Sequence, residues 1–234
     1  MPKVTPGLTD DQLRFFKSFG YAVLRGLLRP DDLETIEREH RQGLGSAFPD
    51  EPFDGRLGQW TRMSNETTPF FASLPEDPRF HRPAQQIGGE DVLGNGTDAH
   101  FAVGNTNWHA DTGWQPSAVN EQRGMKYHFH LDPVRAESGA LRFIPGSHLL
   151  RGSERKTFGE SIENIPLADV PCQPVPTDPG DVILFDIRTW HASFGGRSGR
   201  RTCNVEYFCN PDTVESIDLL LEIGQLEANS RNVH

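Results

Sequence analysis

From Asp98 to Phe208 the chain repeats one texture, and that texture limits the folds open to it. Short runs rich in β-branched and aromatic residues alternate with turns: His100 to Val103, Met125 to Leu131, Ala140 to Ile144, Asp181 to Phe185 and Thr202 to Phe208. Short strands at regular spacing close a core only by pairing into a sandwich or barrel. The 23 glycines and 18 prolines provide the turns such a fold needs. The expected class is mainly β: an antiparallel sandwich or jelly roll, with N-terminal and flanking α-helices.

At 234 residues and 35% apolar content, the chain reads as a single domain over 1–234. A helical N-terminal part and loop cover 8–90, the jelly-roll core 98–211, and a C-terminal helix and tail 212–234. Thr9-x-x-Gln12 forms a capping box, Leu8 and Leu13 supply its staple, and Gly20 closes the helix. Tyr21 to Leu24 reads as a strand, and Pro30-Asp31-Asp32 opens a helix ending near Gly43 or Gly45. Residues 45 to 75 show no periodicity and read as a long surface loop or lid. Pro78 to Ile87 is a weak helix, Gly94-Asn95-Gly96 a turn, 151 to 170 a polar insertion, and Ser216 to Leu226 an acidic amphipathic helix.

The net charge of −10 provides no basic field for nucleic acid or an anionic membrane. Cys172, Cys203 and Cys209 are few and unpatterned, which predicts reduced thiols in the cytoplasm. No apolar h-region precedes Leu8, and no apolar run reaches the length of a membrane span.

Within the strand-rich part stands His109-Ala110-Asp111, and a second histidine, His191, follows 80 residues after the aspartate. Residues i and i+2 of a strand share a face, so His109 and Asp111 are expected to project together. Closure of a jelly roll brings a distant strand beside them. Two imidazoles and one carboxylate on one face of an octahedral ion are the ligand set of non-haem Fe(II) oxygenases. Three positions stay open, enough for a bidentate co-substrate and dioxygen. The absence of nearby thiolates argues against structural zinc. Arg200-Arg201 follow His191, and a bidentate cation there suits the far carboxylate of 2-oxoglutarate. Alternation along the strand lets only one of the two face inward, and counting back from Tyr207 favours Arg200.

These residues sit inside longer markers: Gly20-Tyr21-Ala22-Val23, Trp108-His109-Ala110-Asp111, Ser138 to His148 with its Pro145-Gly146-Ser147-His148 turn, Pro179 to Phe185, and Thr189-Trp190-His191. On them the chain resembles the phytanoyl-CoA dioxygenase family, Fe(II)- and 2-oxoglutarate-dependent oxygenases on a double-stranded β-helix. The resemblance runs from Leu8 to about Pro211. It implies His109, Asp111 and His191 as iron ligands, Arg200 or Arg201 as the 2-oxoglutarate anchor, and Ser193 beside the co-substrate carboxylate. The implied reaction consumes O2 and 2-oxoglutarate, releases succinate and CO2, and hydroxylates a small molecule. A carboxylate at Asp111, where a small residue would leave room for halide, points to hydroxylation. Desaturation and oxidative cyclisation use the same ligands, and the ligands alone do not separate them. A non-catalytic binding protein or an oxygen-independent cupin would have no need of both the triad and the arginine.

One stretch departs from the family's usual apolar sequence. Lys126, His128 and His130 share one face, and Tyr127, Phe129 and Leu131 the other. Lys126 is one of only 4 lysines. Turned inward, Lys126, His128 and His130 would contact 2-oxoglutarate or an anionic or polar substrate; turned outward, they would meet solvent. His148 reads as a structural turn residue, and His40, His81 and His100 as surface or core. Trp108, Trp114 and Trp190 flank the ligands, with Asn105 and Asn107 as weaker contact candidates.

Overall fold

The computed structural model describes residues 7–112 and 122–211, and beyond them 213, 214, 217, 218, 220 and the backbone of 231–233. Helix α1 (Asp10–Phe19) starts at the expected capping box: Thr9 Oγ1 accepts from the Gln12 amide at 3.2 Å, and Gln12 Oε1 from the Thr9 amide at 2.9 Å. Gly20 ends it in the left-handed region, at φ +84°, where only glycine is unstrained. Strand β1 (Tyr21–Leu24) follows, then α2 (Pro30–Ala47). That second helix runs past Gly43 and Gly45, against expectation. Gly43 is buried, and a side chain there would collide with Met63 Sδ at 2.5 Å. The glycine serves close packing, not termination.

Residues 45 to 75 are not one loop. They hold β2 (Gln59–Arg62) and α3 (Pro69–Ser73), ahead of α4 (Pro78–Gly88). A strand of four residues is too short to show periodicity, and its partner lies 40 residues on. Strand β3 (Leu93–Ala102) likewise begins before the expected core and absorbs Gly94-Asn95-Gly96. Its register with β10 (Arg200–Phe208) shifts between Glu206 and Tyr207, so the glycines mark an irregularity inside a strand.

The remaining elements are β4 (Thr106–His109), β5 (Gly124–His130), β6 (Leu141–Phe143), α5 (Gly152–Glu163), β7 (Gln173–Val175), β8 (Val182–Asp186), β9 (His191–Ser193) and β11 (Arg231–Val233). The polar insertion is thus largely α5. The tail helix falls mostly outside the described residues. Strand β11, which the sequence does not announce, pairs with β2.

Two antiparallel sheets face one another, seven strands in the order β1-β8-β5-β10-β3-β2-β11 and four in the order β4-β9-β6-β7. Helices cover the outer face of the larger sheet. Phe16, Ile36, Leu44, Phe71 and Phe80 pack there with Tyr127, Phe129, Val205 and Tyr207, all buried. Both tyrosine hydroxyls are satisfied: Tyr127 donates to Phe80 O and Tyr207 to Pro75 O, each at 2.6 Å. Because side chains alternate, the even-numbered residues of β5 and β10 point the other way, between the sheets. Among the described residues no helix is long and apolar enough to cross a membrane, and the three cysteines are free thiols.

Candidate metal centre and its cavities

Between the sheets, at the edge where β4 meets β9, three ligating side chains converge. His109 and His191 are direct cross-strand partners. Asp111 Oδ1 lies 3.5 Å from His109 Nε2 and 3.4 Å from His191 Nε2. Among the described residues this is the one group of three such side chains whose ligating atoms all fall within 4.8 Å of one another. Strand β4 ends at His109, so Asp111 is not on a strand as expected. Its backbone amide instead donates to Ile187 O at 2.9 Å, which aims the carboxylate from the following turn.

The donor set fits a divalent metal. Each imidazole uses Nδ1 on a carbonyl two residues back, His109 on Asn107 O at 2.8 Å and His191 on Thr189 O at 2.9 Å. Donation from Nδ1 fixes the tautomer and leaves the Nε2 lone pairs facing the shared point. Burial pulls the His191 imidazole below its ordinary range, aided by the His109 charge. For His109 burial acts in the same sense, but the Asp111 hydrogen bond and charge outweigh it and raise the group.

The Asp111 carboxylate is shared in the other direction too. Burial opposes its charge, yet Lys126 and His191 hold it well below the usual carboxylate range. Lys126 Nζ sits 3.0 Å from Asp111 Oδ2 as an ion pair, without hydrogen-bond alignment, and 2.7 Å from Glu206 Oε1. One carboxylate oxygen therefore faces the histidines and the other faces the lysine. Lys126 turns inward and lines the same cavity as Arg200, with its charge shared between Asp111 and Glu206.

Inward from the triad lies a cavity of about 240 Å³. His128 and His130 line it with Ser193, Arg200, Thr202 and Asn204, so the solvent-facing reading of that strand is overturned. His128 Nδ1 bonds Asn204 Oδ1 at 2.8 Å, and Asn204 Nδ2 donates to Asp98 Oδ1 at 2.7 Å. Burial pushes His128 down to about 4 and His130 well below the ordinary imidazole range, so both are neutral near pH 7. Asp98 is held down to about 2: burial alone would raise it, but the His100 charge and hydrogen bond dominate.

Adjacent Arg200 and Arg201 part company. Arg201 lies across from the cavity, with Nη2 2.6 Å from Asp132 Oδ1 and 3.5 Å from Glu37 Oε1. It is not among the residues that line the cavity. Arg200 lines the cavity, where its guanidinium donates to Arg197 O and Gly104 O, each at 3.0 Å, and to Ser193 Oγ at 3.4 Å. No carboxylate among the described residues pairs with it, and burial lowers its pKa. Ser193 Oγ in turn donates to Gly139 O at 2.9 Å.

Sequence reasoning missed His100, Thr202, Asn204 and Glu206. His100 lines the same cavity and bonds Asp98 at 2.7 Å. A signal existed: Thr202, Asn204 and Glu206 alternate with apolar Cys203, Val205 and Tyr207, as Lys126, His128 and His130 do on β5. Asn105 bonds the Gly195 amide at 3.1 Å and Asn107 offers its carbonyl to His109. His40 is core, bonded to His100 O at 3.0 Å. His148 is structural, contacting Lys17 O at 3.2 Å, while Ser147 Oγ accepts from the Trp190 amide at 2.9 Å and so braces the His191 strand. Trp114 falls outside the described residues.

Two facing antiparallel sheets with a two-histidine, one-carboxylate centre at their open edge define the fold of Fe/2-oxoglutarate-dependent oxygenases. Residues 16–203 match the family described as Phytanoyl-CoA dioxygenase (PhyH), and the chain belongs to that family. No curated protein matches significantly in sequence. Solved structures share the fold. The non-heme alpha ketoglutarate dependent epimerase SnoN from nogalamycin biosynthesis aligns at TM-score 0.67 and 19% identity, over 85% of this chain and 82% of its own. HygX from Streptomyces hygroscopicus with nickel and 2-oxoglutarate bound aligns at 0.68 and 19%, over 87% and 88%. The iron-bound form of HygX aligns at 0.68 and 17%, over 90% and 94%.

Proposed function

We propose that this protein is an Fe(II)- and 2-oxoglutarate-dependent dioxygenase that hydroxylates a small molecule with release of succinate and CO2. The observation that carries the reading is Arg200, a buried cation with no carboxylate partner among the described residues, in the cavity that begins at the triad. Burying such a charge is costly unless an anion joins it. A dicarboxylate fits: one end at the metal, the other at Arg200 and Ser193. The similar structures that hold iron, or nickel with 2-oxoglutarate, support the same pairing.

His109, Asp111 and His191 would hold the iron, which on binding supplies dioxygen activation coupled to decarboxylation of the co-substrate. The two Nδ1–H bonds keep both imidazoles oriented as ligands. Lys126 holds the outer oxygen of Asp111, leaving one oxygen for the metal. His128 and His130, neutral at pH 7 and bonded to Asn204, Thr177 and each other, form a polar wall beside Arg200 without adding a second charge. Leu141 and Phe185 keep part of the cavity wall apolar, which limits water near the reacting centre. Three free thiols accord with a cytoplasmic setting.

The test is an anaerobic titration of the iron-loaded protein with 2-oxoglutarate, read through the visible charge-transfer band of the chelate. The band is expected in the parent and in Arg201→Gln. Arg200→Gln should require at least about tenfold more 2-oxoglutarate, the loss of roughly one charge-assisted contact. Parent-like affinity in Arg200→Gln would sink the co-substrate assignment. Once a substrate is found, a product heavier by one oxygen marks hydroxylation, and one lighter by two hydrogens marks desaturation or ring closure.

A further inference from the structure

A second, larger cavity of about 720 Å³ opens on the other side of His109. We infer that it is the substrate chamber, and that it takes a ring-bearing, largely apolar molecule that is neutral or cationic, not an anionic acyl thioester. The inference rests on the proposed iron site only for what the chamber adjoins; its chemistry comes from the chamber's own walls.

His109 belongs to both cavities. Its side chain is 39% exposed, against 6% for His191, so an occupant of the outer chamber lies against a candidate metal ligand. A volume of this size suits a drug-sized molecule. The walls are two indoles, Trp108 and Trp190, with Ile162, Ile165 and Leu167. Trp108 is fixed by donation from Nε1 to Leu167 O at 3.0 Å. Trp190 is held edge-on by Phe158, ring centroids 5.8 Å apart. Rigid aromatic walls favour flat or ring-shaped partners.

Helix α5 makes the chamber possible. Gly159 lies against the Trp190 ring, where a Cβ would come within 2.8 Å of Cη2. Trp190 Nε1 is buried and has no hydrogen-bond partner among the described residues. A buried donor without an acceptor is destabilising.

Charge decides the rest. Among the described lining residues only His109 and Glu163 ionise, and neither lysine nor arginine is present. A phosphate-bearing or carboxylate ligand would lose hydration beside Glu163 with no cation in return. The net charge of −10 adds to that bias.

Three probes of one shape test this: 2-naphthalenemethanol, 2-naphthylmethylamine and naphthalene-2-sulfonate. Affinities are read by calorimetry on protein loaded with Mn(II) and 2-oxoglutarate, and again on metal-free protein. The alcohol and amine should bind, and the sulfonate at least about tenfold more weakly. Mn(II), unlike Zn(II), should broaden the bound probes' proton resonances. Exposed Glu163→Lys should reverse the order of amine and sulfonate, and Trp190→Phe should weaken the alcohol several-fold. Tighter sulfonate than alcohol, no binding by any probe, or bound probes untouched by Mn(II) would each overturn the inference. Probes that bind metal-free protein while 2-oxoglutarate fails to bind the metal-loaded form would instead remove the iron reading and leave the chamber's chemistry standing.

Discussion

Lys126 stands between two partly buried carboxylates, 3.0 Å from Asp111 and 2.7 Å from Glu206. Removing one partner from a buried charge cluster leaves the others uncompensated, at roughly 3–5 kcal/mol. Lys126→Met should therefore lower the melting temperature of the metal-free protein by the equivalent of roughly 3 kcal/mol. A divalent ion bound at the triad would replace the missing positive charge beside Asp111. Saturating Mn(II) should then raise the variant's melting temperature more than the parent's. A metal-free variant that melts with the parent would show that the lysine does not stabilise the pair. That Lys126 belongs to a polar face is readable from its i, i+2 neighbours. Its partners are not, because Asp111 and Glu206 are 15 and 80 residues away.

Among elements, the junction of α1 and β1 does more than turn the chain. Gly20 O accepts from Thr189 Oγ1 at 3.0 Å, and Thr189 O holds His191 Nδ1. A Cβ at Gly20 would collide with Thr189 Oγ1 and His148 Nδ1. Left-handed backbone adds strain of about 1–3 kcal/mol for a non-glycine residue. Gly20→Ala should cost at least about 2 kcal/mol in urea unfolding and weaken Mn(II) binding, since the collision displaces the carbonyl that orients His191. Parent-like values in both measurements would refute this coupling. The glycine is legible in sequence as a helix terminator, but the reason no other residue serves comes from a loop 169 residues away. The same limit hid β2, four residues long, and turned Gly94-Asn95-Gly96 into an apparent turn. Each is a strand because a partner strand takes its backbone hydrogen bonds.

For the whole molecule, buried imidazoles set the acid limit. Burial holds His40 and His128 down to about 4 and His130 well below its ordinary value, whereas an unfolded histidine titrates near 6.5. Between those values the unfolded chain binds protons that the folded chain excludes, so stability falls as pH drops from about 6.5 to about 4. His148 and His191 are lowered by burial in the same sense, while His109 is shifted upward and acts in the opposite one, one group against five. Asp32 and Asp98, lowered to about 2, lose their contribution in a separate window, from about 4 downward. The urea midpoint of metal-free protein should decline steadily from pH 6.5 to 4.5. His40→Gln, which keeps a donor for His100 O, should make that decline shallower. A midpoint flat across the window would contradict the account.

Local pattern was open to reading: a β-rich fold, the helix cap at Thr9, a polar face on β5, and the candidate ligands His109, Asp111 and His191. Which face of a strand is interior depends on what covers the other. Helices α1 to α4 bury Tyr127, Phe129, Val205 and Tyr207, and that non-local packing sends Lys126, His128, Asn204 and Arg200 between the sheets while Arg201 goes out to Asp132. Tertiary pairing likewise recruited His100, gave Lys126 its two carboxylates, and set α5 against Trp190 to shape the outer chamber. A strand carries its alternation within itself, but its inside exists only once another layer has closed over it.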